Sequence, residues 1–133
     1  MPELRLALPA EPQVAASARA AVRDFAATHG AVEATVADIA LAVSEAVSNV
    51  VYHAYHGTDV PGEVVLEADR DGDQICVVVA DAGGGMAPGV DGPGLGLGLP
   101  MIASLADVLE VRVRPQGGTE VEMRFNLVRE AAW

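Results

Sequence analysis

Four groups of residues in this 133-residue chain have the types and spacing to do chemistry. Glu45, Asn49 and His53 recur at i, i+4 and i+8, so on a helix they stack in one row. No Lys, Arg or further Glu stands between Val36 and His56. Such a row lines a cleft when the helix is covered on both flanks, and is an ordinary solvated side when it is not. Asp81 follows the apolar run Ile75 to Ala80 and precedes Ala82-Gly83-Gly84-Gly85. A carboxylate there can accept a hydrogen bond from the amino group of a flat ligand such as adenine, while the run of glycines after it lets that ligand approach the backbone; a turn capped by Asp has the same sequence. Gly94, Gly96 and Gly98 alternate with leucines ahead of Pro100. Successive exposed N–H groups leading into a helix N-terminus form an anion site suited to phosphates, and the alternative is a structural Gly-rich loop. Neither the dinucleotide-binding nor the Walker A glycine spacing is met. Thr119, after Gly117 and Gly118, offers one hydroxyl and by itself reads as part of a turn.

Composition narrows the chemistry. With 19 acidic against 8 basic residues the net charge is -11, which repels a phosphate backbone and excludes nucleic acid as a partner. All eight basic residues are Arg. The absence of Lys excludes Schiff-base chemistry, the Walker A lysine and the strand lysine of ordinary protein kinases. The one cysteine, Cys76, sits in an apolar run and reads as a small buried hydrophobe, and His29, His53 and His56 give no zinc-ligand spacing with it. Glu3 and alternating leucines at the start do not resemble a signal peptide, and Glu45 and Asn49 interrupt the long apolar helix, so no membrane span is expected. The expectation is a cytoplasmic protein with a single domain over residues 1–133. Hydrophobic residues reach 51% but aromatics only 4%, so its core is expected to consist of Val, Leu, Ile and Ala.

The elements that position these groups follow from periodicity. Leu4, Leu6 and Leu8 predict a short strand ended by Pro9. Val14, Ala18, Ala21, Val22 and Phe25 predict a helix over Pro12–His29, closed by Gly30, with Arg19 and Arg23 on its exposed side. Val36, Ile39, Ala40, Val43, Val47, Val50 and Val51 predict a second helix over Val36–His56, closed by Gly57 and covered on both flanks, where Leu41, Ala42 and Tyr52 adjoin the polar row. Glu63–Arg70 and Gln74–Ala80 form a hairpin about Asp71-Gly72-Asp73, the second strand being central in its sheet. The region from Asp81 to Gly98 holds eight of the 14 glycines and is expected to be irregular, with a third helix over Leu99–Leu105. Leu109, Val111, Val113 and then Val121, Met123, Phe125 form a last hairpin joined by Pro115–Gly118. The fold class is α+β, a two-layer α/β sandwich.

In this order the motifs resemble the GHKL ATPase superfamily, and within it the bacterial anti-sigma-factor serine kinases. Ser44 to Asn49 with His53 to Tyr55 is similar to their N box, Asp81 to Gly85 to G1, Gly94 to Leu99 to G2, and Gly117 to Thr119 to the final Gly-Thr element. The resemblance implies a mixed, mostly antiparallel sheet with three helices on one face and Mg-ATP between the helices and a lid. It implies that Asn49 binds Mg²⁺, that Asp81 reads the adenine amino group, and that Gly83 and Gly85 flank the ring. It further implies that Thr119 assists through water, that Gly94, Gly96 and Gly98 hold phosphates, that His53 lies nearby and that Glu45 is the general base. The implied partners are a sigma factor, contacted through Arg19, an anti-sigma-factor antagonist phosphorylated on Ser or Thr, and a second copy in a homodimer. Only eight residues, Met86 to Pro93, separate Gly85 from Gly94, fewer than in the family's kinases. A non-catalytic ATP-binding regulatory module is therefore the alternative.

Overall fold

All five segments that read as strands from their side-chain pattern become strands of one sheet. The computed structural model describes residues 2–54, 62–82, 95–115 and 117–128. Its elements in chain order are β1 (Leu4–Pro9), α1 (Val14–Thr28), α2 (Glu33–Asn49), a π-helical turn (Val50–Ala54), β2 (Glu63–Asp71), β3 (Gln74–Asp81), α3 (Leu95–Leu105), β4 (Val108–Val113) and β5 (Thr119–Asn126). The sheet order is β1-β2-β3-β5-β4, with β3 central as expected. Every pairing is antiparallel, where the resemblance implied a mixed sheet. Short turns join β2 to β3 and β4 to β5, and the paired helices α1 and α2 carry the chain out and back between β1 and β2, so neighbours run antiparallel without a parallel crossover.

Because side chains alternate along a strand, one face of the sheet carries Val64, Leu66, Ile75, Val77, Val79, Val121, Met123 and Phe125, all buried. The helices cover that face. Val14, Ala18 and Val22 of α1, Ile39, Val43 and Val47 of α2, and Ile102 of α3 join the same core. The segment Glu33–His53 is apolar enough to cross a membrane, but its apolar stripe is buried here against strands. The opposite face of the sheet carries Glu67, Cys76, Val78, Glu120, Glu122 and Arg124, which are half-buried.

Helix ends show where local pattern yields to tertiary contact. Gly30 closes α1 as predicted: at φ 92° it occupies the left-handed position. Gly30 N–H donates to Ala27 and Ala31 N–H to Ala26, at 3.3 and 3.0 Å, satisfying the last carbonyls of the helix. The second helix begins at Glu33 rather than Val36, because Val32 N–H donates to the Leu127 carbonyl at 3.0 Å and the buried Thr35 hydroxyl donates to the Asn126 carbonyl at 3.2 Å. The third helix begins at Leu95 rather than Leu99, so part of the region expected to be irregular is helical. Packing of Leu99, Ile102 and Leu105 on the core sets that start against the low helix propensity of the glycines. Coverage of α2 also departs from expectation: Ala42 is buried, but Leu41 and Tyr52 are 45% and 61% exposed. Its outward ridge is open between α1 and α3.

Candidate nucleotide site

Among the described residues four polar side chains are buried: Thr35, Asn49, Asp81 and Thr119. Thr35 is accounted for by its bond to Asn126. The other three gather at one end of the sheet, and topology shows why. In the β3–β5 register Ala80 faces Glu120, so one step further Asp81 faces Thr119, both on the helix-covered side. Helix α2 is tied by Val32 and Thr35 to the far end of β5 and packs across β3 and β5. Its 17 residues span about 25 Å, close to the length of an eight-residue strand, so its C-terminus returns to the level of Asp81 and Thr119. Asn49 stands there, 5% exposed, and its Nδ2 has no hydrogen-bond partner among the described residues.

The same reasoning orients α3. Leu105 leads into Val108, which pairs with Arg124 near the far end of the sheet, so α3 runs away from the site and its N-terminal turn faces it. Gly96 and Gly98 lie in the opening turns of α3, while Gly83, Gly85 and Gly94 lie outside the described residues. One helix thus brings its negative pole to this end and another its positive pole. Glu45 is half-buried one turn before Asn49, and His53 is half-buried in the π turn one turn after it. Single π turns inside α-helices concentrate at functional sites.

Two residues that hold the site were missed from sequence. A Cβ on Gly118 would lie 1.9 Å from the Asp81 carbonyl oxygen, and its φ is +94°, so glycine is required on both counts. Arg114 donates from Nη1 to that same carbonyl at 3.4 Å. The Gly-Gly-Thr turn was a visible signal, but its duty depends on two strand ends meeting. Cys76 is elsewhere, half-buried on the open face of the sheet. Burial pushes its thiol up, Arg124 pulling the other way, and a thiol that stays protonated is no nucleophile.

The sequence profile of the histidine kinase-like ATPase domain matches residues 8–125, nearly the whole chain. The chain belongs to the histidine kinase-like ATPase domain family. Among relatives in this family, a serine-protein kinase RsbW from Bacillus pumilus is 33% identical over 96% of this chain and 87% of its own length. An anti-sigma F factor from Clostridium beijerinckii is 33% identical over 85% of this chain and 87% of its own. The crystal structure of the RsbU and RsbW domains of a Mycobacterium tuberculosis protein superposes with a TM-score of 0.76 at 30% identity. It covers 98% of this chain, which spans 34% of that longer one. Among the described residues of this ATPase-family chain no three His, Cys, Asp or Glu side chains come together as metal ligands.

Proposed function

We propose that this chain binds Mg-ATP and acts as an anti-sigma factor, phosphorylating a serine or threonine of an anti-sigma-factor antagonist and binding a sigma factor. The observation that carries this reading is the gathering of three of the four buried polar side chains, Asn49, Asp81 and Thr119, at one end of the sheet. Relatives named serine-protein kinase and anti-sigma F factor, each matched over 87% of its length, support the activity.

The unpartnered amide of Asn49 fits a cation site. A half-turn of the carboxamide presents its oxygen where the nitrogen now lies, beside the negative pole of α2, and Mg²⁺ bound by one protein oxygen takes the rest from phosphates and water. Bound there, Mg²⁺ would neutralise phosphate charge, which a chain without Lys needs. Asp81 would accept from the adenine amino group, with Thr119 assisting through water and Gly83 and Gly85 flanking the ring. Gly94, Gly96 and Gly98 would offer N–H groups to phosphates at the positive pole of α3, with His53 nearby. Glu45 would take the proton of the attacking hydroxyl. The proposed setting is the cytoplasm, and the proposed assembly a homodimer.

Transfer of labelled γ-phosphate to an antagonist is the test. Glu45→Ala is expected to reduce transfer at least about a hundredfold with ATP affinity retained, and undiminished transfer removes Glu45 from this role. The short span between Gly85 and Gly94 favours a second reading, a regulatory module that binds ATP without turnover, because a small lid shields phosphates poorly from water. ATP binding without transfer to the antagonist would select it.

A further inference from the structure

We propose that the outward ridge of α2, with Arg23 beside it, is the docking surface for the protein substrate, and that Leu41 and Tyr52 are its apolar anchors. The inference rests on the kinase reading above. Ala37, Leu41, Glu45, Ser48 and Tyr52 follow one another at steps of four, four, three and four, which places them on one helix face. It is turned away from the buried stripe of Ile39, Val43, Val47 and Val50, and both of its large apolar side chains face water, Leu41 at 45% and Tyr52 at 61%. A single exposed apolar residue is ordinary. These two bracket Glu45, the sole charge on the ridge, from positions about 16 Å apart along the axis. A folded protein that delivers a hydroxyl to Glu45 has to cover them.

Charge points to the same occupant. Arg5, Arg112, Arg114 and Arg124 each lie within 4.0 Å of a carboxylate, and Arg70 donates to the His29 and Gly72 carbonyls. Among the described residues Arg19 and Arg23 alone lack such partners. Arg19 donates instead to the Ser44 hydroxyl at 3.3 Å, which ties α1 to the flank of the ridge, and Arg23 stands one turn further along α1. In a chain of net charge -11 these two guanidinium groups are, among the described residues, left without a carboxylate to neutralise them. The fitting partner face carries apolar side chains flanking its Ser or Thr and a carboxylate that reaches Arg23. A second copy would bring another net charge of -11 against the first, so it fits less well.

The test uses the full chain and each purified protein of anti-sigma-antagonist fold from the same genome as phosphate acceptor. For the protein that wild type phosphorylates, Leu41→Ser with Tyr52→Ser, and separately Arg23→Glu, should raise KM for it roughly tenfold or more. ATP affinity by calorimetry and the melting curve should stay those of wild type, and Arg23→Lys should restore most of the loss. An unchanged KM overturns the docking surface and leaves the kinase reading standing. So does an unchanged KM with loss of self-association in sedimentation, which assigns the ridge to a second copy, or with loss of sigma-factor binding, which assigns it to that partner. If wild type phosphorylates none of the proteins, the kinase reading falls and this inference with it.

Discussion

Asn49 holds a buried amide N–H group with no acceptor among the described residues, a state that ordinarily costs about 1–3 kcal/mol. A core residue chosen for stability would not keep it, whereas one chosen to meet a ligand would. Asn49→Ala is therefore expected to leave folding stability within about 1 kcal/mol of wild type, because relief of the orphaned group offsets lost packing. Calorimetry on the same variant should show Mg²⁺-dependent ATP binding weakened at least tenfold, by analogy with the loss of a charge-assisted contact. Intact ATP binding together with a large loss of stability would make Asn49 a structural residue. Gly118 offers a second contrast. Gly117 and Gly118 both have φ near +100°, but a Cβ on Gly117 meets nothing closer than 3.9 Å, whereas one on Gly118 runs into the Asp81 carbonyl at 1.9 Å. Gly117→Ala should then cost about 1 kcal/mol, the backbone strain alone, and Gly118→Ala about 2 kcal/mol or more, read by urea titration. Equal losses would mean that the strand ends separate freely.

At the level of elements, α3 sets stability against binding. Gly96 lies in its opening turn, where alanine is the better helix former by up to about 1 kcal/mol. If exposed N–H groups of this turn meet phosphates, Gly96→Ala stabilises the ligand-free protein and weakens ATP, because the added methyl group stands where the ligand approaches. A variant that gains stability with unchanged ATP affinity would remove Gly96 from the site. This helix also shows what sequence could not reveal. Strand alternation at Leu4, Leu6 and Leu8, or at Val121, Met123 and Phe125, is a local period and was readable. So was Gly30 as the end of α1. The starts of α2 and α3 were misread by three and four residues because they depend on distant contacts: Thr35 bonds a carbonyl 91 positions away, and Ile102 packs into the common core. The candidate site divides in the same way. Asn49, Asp81 and Thr119 were legible from type and order. The parts played by Gly118 and Arg114 were not, since they arise only where the end of β3 meets the turn before β5.

Across the whole molecule the acidic excess is managed on the open face of the sheet, where Arg112 touches Glu110, Glu120 and Glu122, and Arg124 touches Glu122 and Asp71. Most of these pairs are exposed enough to contribute little. Glu122 differs, because its side chain is only 18% exposed and it accepts from both arginines, at 3.0 and 3.1 Å. Burial pushes its carboxyl up, but the hydrogen bonds from Arg124 and Arg112 outweigh that and hold it below the usual carboxylate range. A carboxylate with a lowered value in the folded state contributes stability above its unfolded value, about 4.3, and loses it as pH falls through the folded value. Glu122→Gln should accordingly be less stable than wild type at pH 7, by about 1 kcal/mol once solvent screening is allowed for. The gap should close as pH falls from about 4.3 towards 2, where wild type loses the same charge. Urea midpoints of both proteins across that window decide the matter. A gap that stays constant with pH would mean that Glu122 acts through packing, and that the charge network on this face orders side chains without stabilising the fold.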